Sequence, residues 1–287
     1  MEDQNLAVVI DGSYFLHRAW NIVDKDFHRY TRCNNPTNAI HGFLRSFKSI
    51  VRRFAPKYVS IVFDSPEPTF RHVLHPEYKQ NRPPHPVELI RQLELLQKLL
   101  PLMGYAISVH PGLEGDDIIG TLACEFEKSG CRVLIATGDK DIAQLVTDTI
   151  HIEKNYTTPI MDVNAVIDKF GVHPNRVADL LALIGDKSDN IPGVPGFGSK
   201  TALKWLKKYD SIEGILKAEE DLEMTIGELA TIGEHLDKLK LNLELTTIRV
   251  NEDIGFNLDD FLIKEEDGTP LKDLASHLNM LFSITTY

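Results

Sequence analysis

Cysteine is scarce in this chain of 287 residues: Cys33, Cys124 and Cys131, an odd number with no Cys-x-x-Cys spacing. That excludes a disulfide framework and a thiolate zinc site, and it predicts reduced thiols in a cytosolic protein. No apolar run approaches the length of a membrane span, and the polar, acidic start Met1-Glu2-Asp3-Gln4-Asn5 predicts no signal peptide. A Walker loop is missing by one residue, because Ser199 stands between Gly198 and Lys200; a dinucleotide fingerprint fails because Thr201 takes the place of its third glycine. There is no Asp-x-Asp-x-Asp-Gly calcium loop. Positive charge is also in deficit, with 31 Lys and Arg against 42 Asp and Glu and a formal net charge of −11, which taken alone argues against nucleic acid.

What is present is an ordinary soluble composition, 43% apolar and 25% charged, long enough for one large or two modest domains. Residues 6–10, 59–63 and 132–136 are continuous apolar, β-branched runs that suit buried parallel strands. Helical patterns follow or lie between them, over residues 14–20, 42–54 and 87–102. Alternation of this kind predicts an α/β fold with a mostly parallel central sheet flanked by helices. Each of the three strands is followed by aspartate: Asp11, Asp64, then Asp139 and Asp141. The carboxyl edge of such a sheet is where ligands bind. A single aspartate there is ordinarily a turn former or helix cap; the repetition argues otherwise.

Glu114, Asp116 and Asp117 add three acids at the start of another helical pattern, and Asp186 and Asp189 bring the number to nine. Glu114 and Asp116 converge only if Glu114 precedes the first helical turn. Nine carboxylates aimed at one edge would repel unless divalent cations sat among them. All-oxygen ligands select Mg²⁺ or Mn²⁺ over Zn²⁺, and two such ions close together form the clamp for in-line displacement at phosphorus. The chemistry implied is phosphodiester hydrolysis. With those acids neutralised, the rest of the chain is close to neutral. Its basic clusters (Arg45, Lys48, Arg52, Arg53 and Lys57; Arg71, Lys79 and Arg82; Lys200, Lys204, Lys207 and Lys208) then fit a phosphate-contacting surface.

Two further stretches carry function. From Gly185 to Thr201, a Pro/Gly-punctuated turn ends as Gly198-Ser199-Lys200-Thr201 opening a helix, a phosphate cradle at a helix N-terminus; for this piece alone, a plain turn and cap stays open. Residues 66–100 read as two short helical pieces broken by prolines, a mobile arch with Lys79 and Arg82 on phosphates and Tyr78 stacking on bases. Gln92-Leu93-Glu94-Leu95-Leu96 has the look of a sliding-clamp peptide but fits a core helix better. The remainder is helical and acidic, with candidate helices at 211–219, 226–247 and 271–281 and a tail packing back on the core. His17, one turn from the site, receives no role.

Together these residues resemble the 5′-nuclease family: the N-terminal 5′→3′ exonuclease domain of bacterial DNA polymerase I, phage relatives and flap endonucleases. Asp11-Gly12-Ser13…Arg18-Ala19, Phe63-Asp64, Tyr78-Lys79…Arg82-Pro83-Pro84, Glu114-Gly115-Asp116-Asp117, Thr137-Gly138-Asp139-Lys140-Asp141 and Gly185-Asp186…Ser188-Asp189-Asn190 stand in the family's order. Gly115 and His17 depart from it without removing a ligand. The resemblance implies a PIN-like core over residues 1–170 with a helical arch at about 66–100. It also implies a helical DNA-binding domain over 171–287, with a helix-3-turn-helix at about 176–210. By the same resemblance, Asp11, Asp64, Glu114 and Asp116 hold a first metal, and Asp116, Asp139, Asp141 and Asp186 a second. Asp117 and Asp189 support them or bind a third ion. Arg18, Lys79 and Arg82 act on the scissile phosphate. Arg71, Tyr78, Gly193, Gly196, Gly198, Ser199, Lys200 and Thr201 join in contacting DNA, and K⁺ sits at Val194 and Gly196. The expected protein is a monomer at the bacterial nucleoid that removes primers and repairs DNA, cutting DNA with a 5′ flap and RNA–DNA junctions alongside a polymerase domain or ligase. Two alternatives remain: a flap-binding module with weak or no catalysis, and a PIN-like ribonuclease.

Overall fold

The computed structural model describes residues 5–22, 37–154, 158–217 and 233–277. Its central sheet has five parallel strands, β1 (Leu6–Asp11), β2 (Tyr58–Val62), β3 (Ala106–Ser108), β4 (Arg132–Ala136) and β5 (Ile150–Glu153), in the order β3-β2-β1-β4-β5. The chain therefore winds one way from β1 and then the other, and its switch point lies between β1 and β4. Ile10 pairs with both Ile61 and Ala136, so the three long strands end level. Whatever follows them emerges side by side.

Both faces of the sheet are covered, which is why its central strands are apolar throughout rather than alternating. Ala7, Val9, Val133 and Ile135 point into a core shared with α5 (Gly115–Lys128) and the C-terminal helices. Val8, Ile10, Val59, Ile61 and Leu134 point the other way, against α1 (Gly12–Ile22), α2 (Asn38–Phe54) and α4 (Val87–Leu102); α3 (Phe70–Leu74) is a single short piece beside the site. Val8, Val9 and Ile10 are fully buried, each contributing about 1.5–3 kcal/mol of apolar burial. The Gln92 side chain is fully buried too: its Oε1 accepts from Ala39 N at 2.8 Å and Ile40 N at 3.3 Å, capping α2 from α4. With Leu96 also buried, this stretch is core and not a clamp peptide.

The C-terminal body comprises α6 (Val163–Phe170), α7 (Val177–Ile184), α8 (Ser199–Tyr209), α9 (Ile212–Lys217), α10 (Leu236–Thr246) and α11 (Gly268–His277). Buried Asn242 donates to Ala182 O at 3.0 Å and Pro192 O at 2.7 Å, tying α10 to the end of α7 and to the turn beyond it. The Asp179 carboxylate accepts from Ile212 N at 2.7 Å and so caps α9. The chain then returns to the sheet, where Lys264 N donates to Gly104 O at 3.0 Å and Leu271 enters the core. Of the helices expected at 226–247 and 271–281, residues 226–232 and 278–281 lie outside the described residues, as does Cys33. No helix among the described residues is long and apolar enough to cross a membrane.

Candidate active site

Because β1, β2 and β4 end level, their following residues meet at one edge. Asp11, the last residue of β1, accepts from Tyr14 N at 2.8 Å and from Thr137 Oγ1 at 2.6 Å, a bridge across the switch point. Asp64 accepts from Gly115 N at 2.8 Å and donates its own N–H to Ser13 Oγ at 3.0 Å, so strand β2 is joined to the starts of α1 and α5. Glu114 is the extended residue before α5, outside its first turn, while Asp116 and Asp117 lie inside it. The Asp139 carboxylate accepts from Asp141 N at 2.9 Å. Asp186 sits at the end of α7, in a two-residue hairpin of β6 (Gly185–Asp186) with β7 (Ile191–Pro192).

These acids feel one another. Burial raises the Asp11 carboxyl to about 7, and the charges of Asp64 and Asp139 add to the effect. Burial, then Asp139, then Asp11 and Asp64 push Asp116 well above the carboxylate range. Burial and Asp139 raise Asp141 to about 7, with Asp186 and Asp189 contributing; its Oδ1 is buried with no hydrogen-bond partner among the described residues. A void of about 10 Å³, the size of one water or small ion, is lined by Glu114, Asp116, Asp141 and Asp189 among others. The oxygen-only donor set and the orphaned Asp141 oxygen fit hard divalent cations. Among the described residues, no three acids or histidines already close around one point as a bound ion would require. Protein cations stand there instead: Lys79 Nζ lies 2.9 Å from Glu114, Lys140 Nζ lies 2.7 Å from Asp186, and the Arg82 guanidinium pairs with Asp189. Burial works against ionised Asp186, but Lys140 and the Ser188 hydroxyl outweigh it and hold the carboxyl below its usual range.

Three expectations fail here. Asp117 is fully buried, and both its oxygens are taken by the Arg71 guanidinium at 2.6 and 2.9 Å, with Arg249 N adding a third bond. With both oxygens spent on Arg71 and Arg249, the binding of a further ion is the part of the expectation that fails; a supporting role behind Glu114 and Asp116 stays open to it. Arg71, 2% exposed, also donates to Leu245 O and Thr247 O, so it staples α3 to α5 and α10 and cannot reach DNA. Tyr78 is 3% exposed and gives its hydroxyl to Glu114 and Asp189, both at 3.1 Å, which leaves no face for a base. The arch is shorter than expected as well: from Val87 onward α4 buries Leu89, Gln92, Leu96, Leu99 and Leu100 against the core. The inserted segment ends before it. Within that segment, Lys79 N donates to Asp189 O at 3.0 Å, Asn81 to Lys187 O at 2.7 Å and Asn190 to Glu77 O at 2.8 Å, clasping it to the loop after Asp186. Arg82 stays half exposed.

The glycine-rich turn is built on close approach. Gly185 has φ +78°, and a Cβ there would lie 2.3 Å from Gly193 N; one on Gly193 would lie 2.4 Å from Ile184 O. Val194 is buried, donating to Leu183 O and accepting from Phe197 N. Gly196, Gly198, Ser199 and Lys200 are exposed, Thr201 partly so, at the N-terminus of α8. Arg18 does not join the acids; it lines a separate pocket between α1, α2 and the end of β5. Sequence reasoning missed Thr137, Lys140 and Ser188 as site residues. A signal existed for the first two, since Thr137 follows β4 as Asp11 ends β1, and Lys140 lies between two of the acids.

Comparison with known proteins gives matches along most of the chain. Residues 6–171 match the family model of the 5′-3′ exonuclease N-terminal resolvase-like domain, and residues 172–269 that of the 5′-3′ exonuclease C-terminal SAM fold. The 5′-3′ exonuclease of Aquifex aeolicus is 36% identical over 95% of this chain and 91% of its own length. The thermostable DNA polymerase I of Thermus thermophilus is 35% identical over 96% of this chain but only 32% of its own length. Among solved structures, the flap endonuclease of bacteriophage T5, crystallised as a pseudo-enzyme-product complex with DNA and metal ions, superposes with a TM-score of 0.71 at 18% identity, over 96% of this chain and 99% of that one.

Proposed function

The chain belongs to the 5′-3′ exonuclease family, and from that premise we propose a structure-specific nuclease that hydrolyses DNA from a 5′ end and at a 5′ flap, RNA primers included, with Mg²⁺ or Mn²⁺. The observation that carries this reading is the gathering of Asp11, Asp64 and Asp139 where β1, β2 and β4 end level, with Asp116 and Asp141 lining a void of about 10 Å³ beside them; burial and mutual charge push Asp11, Asp116 and Asp141 upward there. Such a cluster is a liability to a fold with no cation in view and a ready ligand set for one with cations. Asp11, Asp64, Glu114 and Asp116 would hold one ion; Asp116, Asp139, Asp141 and Asp186 would hold another, with Asp189 in support. When bound, the ions supply Lewis acidity at the phosphate and an activated water. The chain's own residues do the rest. Thr137 and Tyr14 N fix the Asp11 carboxylate from two sides, and Gly115 N fixes Asp64. Lys79 and Arg82 neutralise Glu114 and Asp189 in this structure. Both cations would also offer their charge to the scissile phosphate.

The body after residue 170 would grip the duplex. Lys200 is exposed at the N-terminus of α8, and Lys204 and Lys207 are exposed further along the same helix, an arrangement suited to backbone phosphates. Val194 O keeps one lone pair beside its bond from Phe197, so K⁺ at Val194 and Gly196 is compatible with the turn. The meeting of the two family models at 171 and 172 supports this division of labour, and the polymerase I relatives support action beside, or fused to, a polymerase. The test is a 5′-labelled flap duplex in Mg²⁺, with EDTA and single-stranded RNA controls. Cutting near the flap junction, absent in EDTA, is expected. Tight flap binding in Ca²⁺ without cutting in Mg²⁺ would favour the binding module, and preferential cutting of the RNA would favour the ribonuclease.

A further inference from the structure

Away from the acids, α1, α2 and the end of β5 enclose a cavity of about 220 Å³. Phe15, Ile50 and Phe54 give it an apolar floor; Arg18, Arg45 and Lys154 stand at its rim with the hydroxyls of Ser46 and Ser49. Arg53 flanks it with a third of its side chain exposed, its guanidinium over the Phe54 ring at 4.8 Å and its Nη1 on Glu153 Oε1 at 2.8 Å. Glu153 is 2% exposed, and its other oxygen, Oε2, is buried with no hydrogen-bond partner among the described residues. Burial raises this carboxyl despite Arg53, so the group is poorly satisfied as the fold stands.

A pocket with excess positive charge at the rim and an apolar floor asks for a ligand with two matching parts. An anion suits the arginines and lysine. A flat or aliphatic body suits the floor. We propose that this cavity binds one nucleoside monophosphate unit, phosphate toward Arg18 and Arg45 and base over the floor of Phe15, Ile50 and Phe54. The volume is below the roughly 300–1,000 Å³ of drug-sized sites, which suits a single nucleotide and not a run of strand. The unit can be free, as a released product, or the terminal residue of a strand. Because the cavity lies outside the acid cluster, this inference goes beyond the nuclease reading.

The test works in EDTA, where the acid cluster holds no metal. The intact chain is titrated calorimetrically with thymidine 5′-monophosphate, and separately with thymidine and with inorganic phosphate. Anisotropy of a labelled 5′-phosphorylated oligothymidylate reports the strand. Binding of the mononucleotide, stronger than of either fragment and about tenfold weaker in Arg45→Glu and in the pocket-filling Ser49→Trp, supports a site for the free unit. Silence of the mononucleotide with an oligonucleotide affinity that falls in both variants supports a strand end. Binding of neither probe, or binding unchanged in both variants, overturns the proposal. Asp139→Asn is expected to leave these affinities unchanged while abolishing flap cutting, so the two readings fail separately.

Discussion

Asp141 holds one buried carboxylate oxygen without a hydrogen-bond partner among the described residues, its carboxyl pushed up to about 7 by burial and by Asp139. A folded-state value above the unfolded one means that the native protein keeps a proton the unfolded chain has lost. Between about pH 4 and 7, metal-free stability must therefore fall as pH rises, and above 7 the full penalty remains. Asp141→Asn is expected to stabilise the metal-free protein at pH 8 by about 1–2 kcal/mol, after discounting for its partial exposure, with the gap closing by pH 4; thermal melts in EDTA across pH measure this. Asp117 behaves oppositely. Asp117→Ala leaves the buried Arg71 charge with only the longer contact to Glu114 at 3.6 Å, at a cost of up to about 3–5 kcal/mol, whereas Arg71→Met with Asp117→Leu should cost much less; urea unfolding of the three variants decides. In the sequence, Asp11, Asp64 and Asp139 stand out because each ends or follows a strand, and Glu114, Asp116 and Asp117 because they open a helix; Asp186 and Asp189 lie in the hairpin after α7 and carry no such mark. The sequence does not separate Asp116 from Asp117. Both look alike in the first turn of α5, and only the arrival of Arg71 from another element takes up the oxygens of one of them.

Elements sorted themselves by length. β1, β2 and β4 were legible because both their faces are buried and their runs are apolar. β3 has three residues and β5 has four, with Ser108, His151 and Glu153 breaking the run, so neither stands out from the loops around it. The arch was drawn too long because α4 carries exposed Val87 and Ile90 at its start, which hides from a linear reading that the rest of the helix is core. The turn between α7 and α8 makes the sharper prediction. A Cβ on Gly193 meets the Ile184 carbonyl, while one on Gly198 meets nothing and φ there is −79°. Gly193→Ala should destabilise by about 2–4 kcal/mol and weaken duplex binding together with it. Gly198→Ala, at the N-cap of α8, should cost only about 0.5–1 kcal/mol. Melting temperature and flap affinity in Ca²⁺, measured on both variants, separate a turn built on backbone contact from one that is merely flexible.

Across the whole molecule, a chain of formal charge −11 meets a polyanion only if its charge is segregated. The acids are gathered at one edge of the sheet, and cations project from α8 and from the clasped segment around Arg82. Flap affinity should accordingly be weak in EDTA, rise with Ca²⁺ and fall steeply with added salt. The measurement that bears most directly on this account is a calorimetric titration of the metal-free chain with Mn²⁺, run at pH 6.5 and pH 8.5 in buffers of different ionisation enthalpy. The account predicts two ions per chain, with proton release larger at pH 6.5, where Asp11 and Asp141 still hold protons, and one ion lost in Asp141→Asn. Absence of Mn²⁺ binding, or a stoichiometry indifferent to Asp141→Asn, would contradict it.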